Sequence, residues 1–291
     1  MANTKEIRSK IASIESTQKI TSAMEMVATS KMRKAQDAMT HSRPYTSALR
    51  RVISHIAKSK PNASNPFIKE RPVKRALFIV ISTDRGLCGG LNINLFKRVL
   101  HSLNEYNQQQ IQVDLAVIGA KAAGFFHSVG SKIAYQLTGI GDRPEAEVTL
   151  GFVQGIEKDF LSGKYDMIEL FSNKYINTMS QEPRREQYLP LPHLPQDVDQ
   201  LEDGNSWDYI YDDDNAEELL KDLISRYVHT VVHARILESL ACEQAARMIA
   251  MKAATDNASK LIDELSLVYN KARQTSITNE LNEIVAGAAA V

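Results

Sequence analysis

The chain has 291 residues, enough for one large domain or two ordinary ones, with 43% apolar and 24% charged residues, a balance that fits a packed globular protein and excludes wholesale disorder. Lys plus Arg and Asp plus Glu both total 35, so net charge selects no class of partner. Cys88 and Cys242 lie far apart with no Cys or His at metal-ligand spacing, which argues against a zinc site or a disulfide framework and for a reducing compartment. No apolar run approaches the roughly 18–20 residues of a membrane span, and the first residues lack the apolar core of a secretory signal. The expectation is a chain that works as it is made, in the cytosol.

Residues 1–60 carry twelve Lys or Arg against four acids. A basic first segment can attract nucleic acid or an acidic protein surface, or be an ordinary solvated helix face. From about Thr4 to Lys58 the spacing predicts helix: Ile7, Ile11, Ile14, then Met24, Ala28, Met32, Ala35 and Met39, and later Tyr45, Leu49, Val52 and Ile56. Pro44 is expected to kink or restart that helix. Ile20, Ala23, Met24, Met26, Val27 and Ala28 occupy more than one face, and this surplus over a two-helix seam points to a second surface buried against another chain.

Twelve of the thirteen glycines fall between Gly86 and Gly204, marking a punctuated middle. Ala76–Ser82 reads as a buried strand, followed by a glycine loop and a helix over about 93–107. Gln112–Gly119 reads as a second strand, followed by a short helix through Phe126, and 132–137 as a third strand. A helix over 145–161 and a last buried strand over 166–172 follow. Strand–helix alternation implies a parallel sheet with right-handed crossovers. Residues 197–222 hold eleven acids against Lys221 alone, an acidic connector.

From Asn205 to Ala286 there is neither proline nor glycine, which reads as one very long helix, roughly 105–110 Å from Asn215 to Ala286. Leu220, Ile224, Tyr227 and Val231 form one apolar stripe. Ala254, Ala258, Leu261, Leu265, Val268 and Ala272 form another. Long helices at both ends of a chain with a compact insert pack most economically as an antiparallel coiled coil. The fold class expected is α/β: a long antiparallel coiled coil of the terminal helices with an inserted Rossmann-like domain. Its parts are a first shaft helix over 1–60, the α/β domain over 73–196, the connector over 197–214 and a second shaft helix over 215–291.

Thr17–Gln36, the loop Ser82-Thr-Asp-Arg-Gly-Leu-Cys-Gly-Gly-Leu-Asn92, Ala245–Ala258 and the closing Ile277–Ala290 resemble the gamma subunit of the F-type ATP synthase, in order and along essentially the whole chain. Without a transit peptide the resemblance is to the bacterial form, and the connector lacks the cysteine pair of the redox-regulated chloroplast form. The resemblance implies a non-catalytic central-stalk rotor. Its paired helices would turn inside a hexamer of alpha and beta subunits, and its α/β domain would bind the epsilon subunit and the ring of membrane c-subunits. Torque from proton flow would thereby reach the beta-subunit catalytic sites, on the cytoplasmic face of the cell membrane, with membrane association only through the complex and no cofactor of its own. It further implies that Met24 and Arg247 face an acidic lever loop of a beta subunit, and that Arg273, Gln274, Thr278 and Glu280 hydrogen-bond alpha- or beta-subunit loops near the tip.

Two other classes stay open beside it: a nucleotide-binding α/β protein, and a coiled-coil scaffold or nucleic-acid-binding protein using the basic start. The loop Thr83–Gly90 follows a strand and precedes a helix, where phosphate loops occur, yet it fits neither G-x-x-x-x-G-K-[ST] nor G-x-G-x-x-G, and a tight turn explains its glycines. Cys88 has no His and acid to activate it and reads as a structural thiol. Lys31, Arg33 and Lys34 form a basic patch without the interleaved aromatics of a nucleic-acid surface, so an acidic subunit surface fits them better.

Overall fold

The structure, a computed structural model, describes residues 4–59, 66–142, 144, 146–191 and 216–289. The acidic connector 197–214 lies outside the described residues. Helix α1 runs Thr4–Ser59 and helix α5 Ala216–Ala289, and between them come β1 Arg75–Ile81, α2 Leu91–Gln108, β2 Gln112–Ile118, α3 Ala120–Ser128, β3 Ile133–Leu137, α4 Ala146–Leu161, β4 Met167–Tyr175 and β5 Gln181–Leu189. The chain divides into two compact units, one of Ser30–Ala246 and one of Met1–Thr29 with Arg247–Val291.

The larger unit is a five-stranded sheet in the order β3-β2-β1-β4-β5. The first four strands are parallel and β5 runs antiparallel to β4. Because side chains alternate across a strand, Leu77, Ile79 and Ile81 of β1 join one core. There they meet Phe152, Val153, Ile156 and Phe160 of α4, Ile53 of α1, and Ile224, Val228, Val232 and Ile236 of α5. Ala76, Phe78 and Val80 join the other core, with Leu95, Phe96 and Val99 of α2 and Ala122 and Phe126 of α3. Both faces of β1 are dry, which is why Ala76–Ile81 is an unbroken apolar run.

Several expectations need correction, and of the two offered for Pro44 only the restart is among them. Strand β4 is not the last, and the sheet is mixed rather than parallel, since β5 adds an antiparallel edge. Its sequence, Gln-Glu-Pro-Arg-Arg-Glu-Gln-Tyr-Leu, is polar because it lies at an edge, where Pro and charge are tolerated and protect against further pairing. Pro44 does not restart the first helix, which is continuous across it; Met39, Leu49 and Ile53 are buried on either side, so packing outweighs the lost backbone hydrogen bond. On α5 the stripe against the sheet is Ile224, Val228, Val232 and Ile236, with Tyr227 and Val231 only half-buried beside it.

In the smaller unit the less exposed positions of α1 include 7, 11, 14, 18, 21, 25 and 28, and those of α5 include 251, 255, 258, 262, 265, 269 and 272, flanked by others such as 22, 24, 254 and 259. Alternating steps of four and three are the heptad seam of a coiled coil. Thr21 Oγ1 lies 2.8 Å from Thr255 Oγ1, and Gln18 Nε2 donates to Ser259 Oγ at 2.7 Å, which sets the helices antiparallel. The seam uses Ile262 and Tyr269, half-buried, where Leu261 and Val268 were expected; those two are 48% and 53% exposed.

Gly119 closes β2 at φ +98°, and a Cβ there would lie 2.5 Å from the Ser82 carbonyl oxygen. Gly119→Ala should therefore lower stability by about 2–4 kcal/mol. Gly124→Ala, in α3 with nothing within 4 Å, should be neutral or stabilising by up to about 1 kcal/mol; urea midpoints of the two variants check the contrast.

Candidate functional site

In a sheet of this order the connections leave β1 to one side for β2 and return on the other for β4. Ligands of open α/β sheets bind beyond the carboxyl ends of the strands at such a switch point. The glycine loop sits there, and the side chains of Thr83, Asp84 and Asn92 find their hydrogen-bond partners within the chain. Thr83 Oγ1 donates to the Arg85 carbonyl at 2.6 Å, and Asn92 Nδ2 donates to Thr83 Oγ1 at 2.7 Å and approaches Cys88 Sγ at 3.4 Å. Asp84 Oδ1 accepts the N–H groups of Ala120 at 2.9 Å and Gly139 at 3.1 Å. The first turn of α3, where an anion would be favoured, is thus already served by the chain's own carboxylate.

The crevice is closed as well. Cys88 and Leu91 pack with Cys242 of α5 in one buried cluster, joined by Tyr175 and Ala246. The turn is tight, with Leu87 at φ 64° and Gly89 at φ 59°, which accounts for Gly89 without a phosphate. Two cysteines 154 positions apart in sequence (242 less 88) therefore share a core, a proximity that spacing alone could not reveal. Cys242 donates to the Asn173 carbonyl at 3.4 Å, and burial, with Glu238 nearby, pushes its thiol far above the ordinary range.

The expected coupling residues lie elsewhere, on the helices of the smaller unit. Met24 is half-buried beside the seam, while Ile20, Met26 and Val27 are 58%, 70% and 54% exposed. The apolar surplus of this stretch is real and has no cover within the described residues. Arg247 is only 7% exposed. Arg273, Gln274, Thr278 and Glu280 are all exposed, and two local hydrogen bonds lie among them: Thr278 Oγ1 donates to the Gln274 carbonyl at 2.9 Å, and Ser276 Oγ to Glu280 Oε1 at 3.3 Å. From residue 273 to 288 every position is exposed, including Ile277, Leu281, Ile284 and Val285. Those four recur at helical spacing, so α5 ends in an apolar stripe with no cover among the described residues.

Sequence reasoning missed a polar network at β5. Arg185 pairs with Glu169 through two hydrogen bonds of 2.9 Å and reaches Glu105 at 2.6 Å, with its guanidinium over the Tyr106 ring. Burial, then the charge and hydrogen bond of Glu169, push Tyr106 up to about 12. Arg235 pairs with Glu186 in the same forked manner. The consecutive Arg184-Arg185-Glu186 in a stretch lacking loop chemistry was the available signal. Among the described residues no His, Cys, Asp or Glu cluster could hold a metal ion, and no helix is long and apolar enough to cross a membrane. Cys88 and Cys242, 3% and 0% exposed, should resist a thiol reagent at pH 8 in the native chain and react fully in denaturant, as a colorimetric thiol titration would record.

A family model described as ATP synthase matches residues 3–291. The ATP synthase gamma chain of Glaesserella parasuis is 56% identical over 291 residues, and that of Pasteurella multocida 56% over 292, each alignment covering 100% of both chains. Among solved structures, a chain of the Euglena gracilis mitochondrial ATP synthase OSCP/F1/c-ring assembly superposes with a TM-score of 0.68 at 18% identity, covering 99% of this chain and 94% of that one. A chain of the Tetrahymena thermophila mitochondrial central stalk and c-ring gives 0.59 at 21% identity, covering 81% and 99%; at such identities these share the fold. With relatives above half identity along its whole length, the chain belongs to the gamma-chain family of ATP synthases.

Proposed function

We infer that this chain is the rotor of the central stalk and does no bond chemistry itself: catalysis lies on beta subunits, and the chain sets the order in which their sites change affinity. The observation that carries this reading is the helix tail from 273 to 288, exposed on every side yet apolar along one stripe. A stripe of this kind is costly in water and suits a tip seated inside a sleeve of other subunits. In this reading residues 1–60 and 215–291 are the shaft helices, 73–196 the α/β domain and 197–214 the connector. The partners are the alpha and beta subunits around the shaft, with the epsilon subunit and the c-ring against the α/β domain. The place of work is the cytoplasmic face of the bacterial membrane, held there through the complex alone.

The physics of a rotor supports the assignment. Coupling is a difference in binding free energy between shaft orientations, shared among the catalytic sites. Contacts that are made and broken at every step must each be weak. Exposed polar contacts of about 0–1 kcal/mol meet that requirement, and Arg273, Gln274, Thr278 and Glu280 are exposed side chains of this kind. Met24 and Arg247 are assigned to an acidic beta-subunit loop.

Mixing alpha and beta subunits with and without this chain tests the reading: one copy should enter each hexamer and raise ATP turnover at least about tenfold. A hexamer that neither takes up the chain nor changes its turnover would overturn it. Met24→Lys should leave the chain folded yet cut ATP synthesis several-fold, through an overly strong pair with the acidic loop; unchanged synthesis and proton pumping would remove Met24 from the coupling surface.

A further inference from the structure

We propose that a polar joint between helix α5 and the β4–β5 edge sets the angle at which α5 is held on the sheet, and that it keeps that angle when the helix is under load. The proposal rests on the rotor reading and names where, within the larger unit, twist passes from sheet to helix.

The apolar ridge Ile224, Val228, Val232 and Ile236 holds α5 against the sheet, but apolar attraction is non-directional. A turning couple needs groups whose energy depends on direction. They lie at the end of the ridge. Arg235 forks onto both carboxylate oxygens of Glu186, the second at 3.0 Å, and its remaining nitrogen reaches Glu238 at 3.2 Å. Arg184 faces Glu186 at 3.8 Å and Glu238 at 3.6 Å. Glu238 also accepts the backbone N–H of Tyr175 at 3.3 Å.

Two features separate this joint from an ordinary surface network. Its side chains are withdrawn from water, with exposures of 27% for Arg235 and Arg184, 26% for Glu186 and 8% for Glu238, so bulk screening is weakened. Tyr175, moreover, engages both long helices: its backbone N–H meets α5, and its hydroxyl accepts Gln36 Nε2 of α1 at 2.5 Å. Within this unit the carboxyl end of β4 therefore bears on α1 and α5 at once. Bidentate Arg–carboxylate pairing is the side-chain contact with the strongest angular preference, and here it links α5 to the outermost strand.

The test is the double variant Arg235→Met/Glu186→Leu in the complete membrane complex. Replacing an ion pair by apolar groups of similar size often leaves stability unchanged or raised, so a merely structural role predicts an unaltered thermal midpoint and unaltered coupling. The joint predicts that ATP hydrolysis persists while protons pumped per ATP, measured against an opposing proton gradient, fall at least about twofold. A ratio equal to the parent's overturns it. Should the double variant fail to assemble, Arg235→Lys, which keeps the charge and drops the fork, carries the test with the same two outcomes. A complex reassembled without the chain that pumps as well as the parent would instead sink the rotor reading beneath the proposal.

Discussion

The larger unit depends on one packing arrangement: four aliphatic residues of α5, one per turn, laid on the sheet. Ile224, Val228, Val232 and Ile236 are all at most 1% exposed. At about 1.5–3 kcal/mol for each fully buried aliphatic side chain, the ridge contributes on the order of 6–12 kcal/mol as an upper bound. That matches the whole net stability of an ordinary domain, about 5–15 kcal/mol. The sheet face formed by Leu77, Ile79, Ile118 and Leu170 thus relies on a helix from the far end of the chain. Tyr188 reinforces the arrangement by donating its hydroxyl to the Val228 carbonyl at 2.8 Å, and His229 meets Glu157 of α4 at 2.9 Å.

The same helix serves two environments with two kinds of sequence. Against the sheet it shows a stripe of Ile and Val at a spacing of four. In the smaller unit its seam toward α1 contains Ala258, Thr255 and Ser259, and across it stand Ala28, Thr21 and Gln18. Small residues permit close approach and half-buried hydroxyls pair across the seam, so that seam gains alignment at some cost in hydrophobic stabilisation.

Most elements were legible in the sequence because periodicity and burial agree. Strand β1 is apolar throughout because both its faces are covered, and the absence of helix breakers from 205 to 286 foretold α5 almost to its end. What failed did so for physical reasons. Strand β5 hides its partly buried positions behind charge, since Arg185 is neutralised by Glu169 and Glu105, and no hydropathy pattern reports a neutralised guanidinium. The seam departs from expectation at Leu261 and Val268 because the stripe 254, 258, 261, 265, 268, 272 and the observed seam 251, 255, 258, 262, 265, 269, 272 both step by four and three, so periodicity alone does not choose between them and only burial in the fold selects Thr255, Ile262 and Tyr269. Of the candidate site, the family motifs located the helix-tail residues, while burial of Arg247, closure of the glycine loop by α5 and the shared core of the two cysteines needed the fold.

One feature of the larger unit bears on how the chain is made. Strands β1 to β4 and helix α4 precede in sequence the α5 residues that cover their common face. Domains tend to fold from the first-made end during synthesis, yet here the sheet is complete more than thirty residues before the ridge at 224–236, the interval from Leu189 to Ile224 being 35 positions. For that interval Leu77, Ile79, Ile118 and Leu170 lack the α5 part of their cover, with only the earlier residues of α1 and α4 available to cover them, while translation continues. The polar, proline-bearing edge strand β5 has a second consequence at this stage. By resisting further strand pairing, it protects the half-finished sheet from joining a neighbouring nascent chain until its own helix arrives.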